Sequence, residues 1–400
     1  MRYTVKTVHG ISEDNYQGTA FSPLFGTGQG SGASPAVWLS LVVILLQTLD
    51  RLIPDRVNFS SLSGDIVHKR LSDAFVDDTS LSFTSSSDDT DLNELIARLE
   101  KVAQTWEHLL FLSGGKLNLA KCSWLIVRWE WTNGRPVISP VKTTDRDVRV
   151  YQGTNTQDAS IIRRTALDES TRMLGVLMNP LGDFGPHIKY LKKKADVFAT
   201  RILSPRLSAS DVSIFHRTTY VPSMRYGLAA VAVDEEELGT VQSRIIPAIL
   251  KKLNVQSTIP TSIRHGPREL GGLDLNDLRT EVGIESLKFF RDAIYSNSET
   301  GKLLRLNLQY LQIEAGIGQD LLQFPNIHIS YLTPTWILSL RQFLSLHNMS
   351  VVVSDVHTIK LSGASDEYIM QETHLRRYSP AQQKDINLAR LFSKSRHLRT

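Results

Sequence analysis

A single cysteine, Cys122, in 400 residues excludes an intramolecular disulfide and any zinc cluster built on thiolates. A lone thiol of this kind is expected as a small packed side chain in a reducing compartment. The 11 histidines show no metal-ligand spacing. The start, Met1 to Glu13, lacks the apolar core of a secretory signal. The most apolar run, Ala36 to Leu46, is shorter than the ~20 residues that a membrane-spanning helix requires. No membrane partner is therefore expected, and the expected location is intracellular, nuclear or cytoplasmic. There is no internal repeat and no long low-complexity segment.

Charge of one sign is also in short supply. Lys and Arg number 45 against 41 Asp and Glu, a net +4, with a pI near 9.0. That balance permits nucleic-acid binding without demanding it. The 41% apolar and 22% charged residues are the proportions of a soluble globular protein. A chain of this length buries a substantial core, in two or three domains.

What the chain does have is a glycine-laced segment, FGTGQGSGASPAVW from Phe25 to Trp38, and two adjacent aspartates, Asp77-Asp78, about forty residues later. Ala74-Phe75-Val76 and Leu81-Ser82-Phe83 read as short strands with the acids at the turn between them. Adjacent like charges repel, and a divalent cation with a taste for hard oxygen removes that cost. The pair points to metal-assisted phosphoryl chemistry. The apolar run after the glycines reads as a buried helix, with Ser34 as its cap and Pro35 at its first position. Gly28, Gly30 and Ala33 also satisfy GxGxxA spacing, with Asp50 further on. That fingerprint needs a strand immediately before it, and Gln17 to Gly26, with Gly18, Ser22 and Pro23, is a poor one.

Further along, an acidic-starting helix is expected from about Asp91 to Leu112. Trp124 to Trp131 alternates as a strand, and Asn133-Gly134 is a hairpin turn. Its tryptophans, Trp124, Trp129 and Trp131, are expected to pack in the core and on the sheet face. Asp145 to Asp158 is polar and turn-rich, and reads as a loop insertion. A helical stretch follows, carrying Lys189, Lys192, Lys193, Lys194, Arg201 and Arg206 opposed by Asp196, and the chain ends in a basic tail with Lys384, Arg390, Lys394, Arg396 and Arg399.

These pieces, in this order, resemble reverse transcriptases of retroelements without long terminal repeats. The glycine segment and the aspartate pair resemble motifs B and C. Trp106 to Leu110 with Ser113 to Cys122 resembles motif D. Met173-Leu174-Gly175-Val176 resembles the hairpin that grips the primer, and His265-Gly266-Pro267 with Leu270-Gly271-Gly272-Leu273 the region after the thumb. The likeness runs from Phe25 to Asp292, with a looser echo at Thr335 to Leu344.

The resemblance implies an α+β fold: a partial reverse-transcriptase palm, an antiparallel sheet with helices, then a helical thumb and a mostly helical C-terminal region. The expected segments are a residual N-terminal loop at 1–25, the palm with motifs B to E at 26–185, a thumb-like region at 186–295 and a connecting region at 296–400. It implies RNA-templated DNA synthesis, with an RNA template, a DNA primer and deoxynucleoside triphosphates as partners. Asp77 and Asp78 would bind magnesium, with manganese as the alternative. Lys121 would face the leaving pyrophosphate, Lys116 being the competing choice. Gln29, Gly30 and Phe75 would meet nucleotide or template, and Lys189, Lys192, Lys193 and Lys194 the duplex backbone. Phe75 stands where many relatives carry tyrosine. Motif A, with the first metal-binding aspartate, has no counterpart: the early acids Glu13-Asp14 lie in a polar stretch without strand pattern. The chain is thus expected to be a polymerase lacking fingers and motif A, inactive alone. The second reading is a catalytically dead, nucleic-acid-binding remnant.

Overall fold

The computed structural model describes residues 2–3, 6–7, 10–11, 16–17, 32–61, 64, 66–85, 91–132, 135–139, 141, 146–153, 157–317, 319–353 and 376–393. Helices and short strands are mixed, so the fold class is α+β. The chain divides into two compact units. Unit 1 is Met1–Asn58 with Lys69–Ala166, and unit 2 is Phe59–His68 with Leu167–Thr400. Residues 26–185 thus contribute to both. Among the described residues every strand has a single partner, so they do not form the larger palm sheet that the resemblance implies.

Unit 1 begins with four two-residue strands, β1 (Arg2–Tyr3), β2 (Lys6–Thr7), β3 (Gly10–Ile11) and β4 (Tyr16–Gln17), with β1 paired to β4 and β2 to β3. Helix α1 (Ser34–Leu52) follows. Ala33 takes the N-cap without a side-chain cap, so Ser34 does not cap as expected. It and Pro35 open the helix, where a missing N–H costs nothing. Nor is α1 a buried helix. Only Val42, Leu45 and Leu49 are buried, while Val37, Leu39, Val43 and Ile44 are exposed. Its 19 residues are long and apolar enough to cross a membrane by length and composition alone, which the apolar run by itself was too short to do.

Strands β5 (Val57–Ser60) and β6 (Val67–Arg70) lead to the antiparallel hairpin of β7 (Ser72–Phe75) and β8 (Asp78–Leu81). Helix α2 (Leu92–Leu112) starts where expected, because the Asp91 side chain accepts a hydrogen bond from the Asn93 amide. Its stripe Val102, Trp106 and Leu110 packs with Leu45, Leu49, Ile53 and Leu71. Its Ile96 turns into a second cluster with Trp124, Val148, Val150 and Ile162.

The rest of unit 1 is strand pairs. Strand β9 (Ser123–Trp124) is followed by β10 (Arg128–Thr132) and β11 (Arg135–Ser139), whose register joins Thr132 to Arg135. Asn133-Gly134 themselves lie outside the described residues. Strand β12 (Arg149–Tyr151) pairs with β13 (Ala159–Ile161), and β14 (Arg163–Arg164) runs parallel to β9. The stretch expected as a loop therefore contains a strand. Its signal, Val148 and Val150 at period two, is short, but both side chains are fully buried. The free edge of β12 is met by side chains of α2. Glu100 accepts from the Arg149 amide at 3.1 Å, Gln104 from the Tyr151 amide at 2.8 Å and Glu107 from the Gly153 amide at 3.0 Å. Trp124 is buried, its indole donating to the Ile162 carbonyl. Trp129 is 59% exposed, contrary to expectation, because β10 and β11 have only each other as partners.

Unit 2 opens with the hairpin of β15 (Thr171–Met173) and β16 (Val176–Met178). The helices are α3 (Gly185–Ile202), α4 (Ala209–Phe215), α5 (Val221–Arg225), α6 (Glu235–Gln242), α7 (Ile246–Lys252), α8 (Thr261–His265), α9 (Leu278–Ile294), α10 (Glu299–Ala315), α11 (Trp336–Leu346) and α12 (Pro380–Ser393). A π-helical turn, His216–Tyr220, joins α4 to α5. Pro222 explains it: lacking an N–H and crowding the carbonyl four residues back, it widens the ladder just before it. One core gathers α3 to α7 and α9 around Tyr220, Met224, Ile245 and Ile249, and a second gathers α9 to α11 around Phe290, Leu322 and Leu344. Each fully buried large side chain contributes about 1.5–3 kcal/mol.

Candidate functional site

The aspartate pair sits at the tip of a hairpin held at its base. Leu71 is buried, and Leu81 and Phe83 pack on the same cluster as α1 and α2. The register sets Phe75 opposite Asp78 and Asp73 opposite Ser80, so Asp73, Phe75, Asp78 and Ser80 share one face. Val76 and Asp77 form the two-residue loop. Asp77 thus closes the loop and Asp78 begins the returning strand, three residues earlier than the sequence pattern places it. Val76 has φ 57°, a left-handed conformation that β-branched residues strongly disfavour. Phe75, Val76, Asp77 and Asp78 are all exposed.

The helix that follows the glycine segment reaches this turn. The Trp38 indole N–H, in the first turns of α1, donates to the Val76 carbonyl. Trp38, the last residue of that segment, is therefore adjacent in space to the aspartate turn. Gln29 and Gly30 lie outside the described residues, as do Glu13 and Asp14.

Two neighbouring carboxylates suit magnesium or manganese in kind, since both ions take hard oxygen ligands. They fall short in number: no group of three or more His, Cys, Asp or Glu able to hold a metal exists among the described residues. Asp73, the other acid on that face, is paired with Arg70. Magnesium commonly rests on one or two carboxylates plus substrate phosphates, so the pair fits as part of a site.

Lys121 stands in the exposed turn before β9, its amide bonded to the Asn118 carbonyl at 2.9 Å. Lys116 lines an open groove of about 450 Å³ together with Asn118, Gln152 and Ser160.

In unit 2, the Met173 to Val176 segment is a hairpin turn. Leu174 at φ 48° and Gly175 at φ 91° give the paired positive φ of a type I′ turn. Glycine is required at 175, where a side chain would press on Tyr226. Met173, Leu174 and Tyr226 remain exposed. Behind them the Leu177 amide donates to Nδ1 of His187 in α3, which fixes that buried imidazole as neutral. Burial, then the charge of Lys194, lowers its pKa.

The α3 lysines are not equivalent. Lys189 and Lys193 are exposed, and Lys192 is half-buried. Lys194 bends inward and donates to the Ser223 carbonyl at 2.7 Å. Burial first, and Arg172 next, lower its pKa. The expected cationic face thus reduces to Lys189 and Lys193, with Lys192 at its margin. Asp196 is answered by Arg244 at 3.8 Å.

No family model matches this sequence, and no curated protein is significantly similar to it. Sequence reasoning missed Trp38 and Tyr226 as parts of these sites. Trp38 closes the glycine segment and had a signal to find. Nothing in the sequence marks Tyr226 apart from other tyrosines.

Proposed function

We propose that this chain is the palm-and-thumb portion of a reverse transcriptase from a retroelement without long terminal repeats. The observation that carries this reading is the pair Asp77-Asp78 at a β-hairpin tip bonded to the helix that follows the glycine segment. By the resemblance, that segment is motif B and the hairpin is motif C. The turn at Leu174-Gly175 and the lysines of α3 support it, as a primer-gripping tip and a helix along the duplex backbone. In the reaction a primer 3′ hydroxyl attacks the α-phosphate of a deoxynucleotide and pyrophosphate leaves. Bound magnesium would supply charge neutralisation at the reacting oxygens. Asp77 and Asp78 would hold it, Phe75 would pack near the primer end, and Lys121 would serve the pyrophosphate.

Two carboxylates alone do not make a two-metal site, so the chain by itself is expected to bind but not to polymerise. Primer extension on an RNA template with magnesium or manganese tests this. No product is expected, while an RNA–DNA duplex is retained with steep salt dependence. Lys189→Ala and Lys193→Ala should each lower the salt slope by about one, and Lys194→Ala should leave it unchanged. Absence of duplex binding would remove the reading. Synthesis abolished by Asp77→Asn would show that the site is complete. Binding without synthesis is also what a catalytically dead remnant would do.

A further inference from the structure

The aspartate turn is a poor candidate for standing unaided. Its sheet has two strands, its tip is exposed, its two acids repel, and its first loop residue is a valine in left-handed conformation. Each of these favours opening or flipping of the turn. Beside the hairpin's own ladder, a contact from 38 residues away opposes them: the Trp38 indole N–H on the Val76 carbonyl.

Trp38 is well placed to act as a fixed post. It lies one turn before Val42, and Leu45 and Leu49 continue the same stripe at helical spacing. Val42, Leu45 and Leu49 are the buried residues of α1, and Leu45 and Leu49 belong to the cluster that also holds Leu71 and the α2 stripe. The indole is half-buried and belongs to an element anchored independently of the hairpin tip. The carbonyl it holds belongs to Val76 itself, and rotation about the Val76 N–Cα bond would swing that carbonyl away from the indole.

We propose that Trp38 is a positioning residue for the aspartate pair. By holding the Val76 carbonyl it keeps Val76 at positive φ, and so fixes where Asp77 and Asp78 stand relative to α1. The consequence for metal binding rests on the functional reading above; the conformational consequence does not.

The test uses the full chain with labelled valine and tryptophan, and two readouts. NMR shifts and couplings of Val76 report its φ, and Mn²⁺ titration reports affinity at the turn through broadening of nearby signals. In the unaltered protein the Trp38 indole proton should exchange more slowly than that of exposed Trp129. Trp38→Phe keeps a ring but removes the donor. Val76 should then leave the left-handed region, and Mn²⁺ affinity should fall roughly three- to tenfold, the range of one hydrogen bond. Adding Val76→Gly should restore affinity, because glycine holds positive φ without a clamp; a packing role for Trp38 would not be rescued from that position. An unprotected Trp38 indole, or Val76 unchanged in Trp38→Phe, would overturn the proposal, and the first readout needs no variant to fold. If Mn²⁺ broadening is indifferent to Asp77→Asn, the metal reading fails while the φ readout still decides the clamp.

Discussion

Helices α1 and α3 are nearly the same length, 19 and 18 residues, and both carry proline in the first turn. By sequence α1 is much the more apolar, yet it buries three residues where α3 buries six. The difference lies in what each unit offers. In unit 2, α3 is met by α6, α7 and β16, and its stripe Ile188, Leu191, Ala195, Phe198 and Ile202 closes completely. In unit 1, α1 is met by α2 on one side, and its outer residues Leu39 and Ile44 stay at least 60% exposed. Apolarity supplies the drive for burial, but neighbours decide whether it is realised.

The sharpest way to break that comparison is to cut both helical systems at matched apolar positions. Leu191 on α3 is buried in the first core of unit 2, and Leu191→Ala should cost about 2–5 kcal/mol of unfolding free energy. Ile44→Ser on α1 should change it by less than about 0.5 kcal/mol. Denaturant titration of both variants measures the pair. A loss above about 1 kcal/mol for Ile44→Ser would mean that the outer face of α1 is covered in solution.

Acid should separate the units next. His216 is buried in the π-turn, stacked on Tyr220 at 5.5 Å, and its Nε2 has no partner among the described residues. Burial, then the charges of His265 and Arg217, lowers its pKa from 6.5 to about 4. The unfolded chain therefore takes up a proton that the folded one refuses. Stability is complete above pH 6.5, falls as the pH drops from 6.5 to about 4, and levels off below. The loss should approach roughly 3 kcal/mol, at 1.36 kcal/mol per pH unit. His216→Phe should remove that slope. Unit 1 has no counterpart among its described residues, since His108 is exposed. If His216→Phe leaves the pH profile unchanged, the imidazole is solvated in a way the packing does not indicate.

Legibility followed the same division of labour. Helix α2 and the two-residue turn between Thr132 and Arg135 could be read from the sequence, because each depends on local chemistry, whereas the hairpin at Leu174-Gly175 was expected from the resemblance. The placement of Asp77-Asp78 at a hairpin loop was legible to within a residue or two. What escaped depends on partners. The exposure of α1 and Trp129, and the inward turn of Lys194 toward Ser223, are set by distant residues. Strand β12 escaped for a related reason: Val150 and the preceding Val148 are flanked by polar residues, and the strand edge that β13 does not meet is bonded to a helix.

That strand gives the finest test of how the two units differ. Unit 2 satisfies its backbone largely within helices; unit 1 completes a strand edge with side chains. Along α2, Glu100, Gln104 and Glu107 fall on one face at spacings of four and three. The amides of Arg149, Tyr151 and Gly153 fall on one edge at spacings of two. Gln104 is the reciprocal member, accepting from the Tyr151 amide and donating to its carbonyl at 3.0 Å. Gln104→Ala withdraws both bonds from a residue that is only partly buried, so water can replace some of what is lost. The expected cost is about 1–2 kcal/mol, with faster amide exchange at 149, 151 and 153 and no change in the helices of unit 2. Gln104→Glu keeps the acceptor and loses the donor, and should fall between the two. If Gln104→Ala leaves those amides as protected as before, the pairing of β12 with β13 is sufficient by itself, and unit 1 needs no helix to complete its edge.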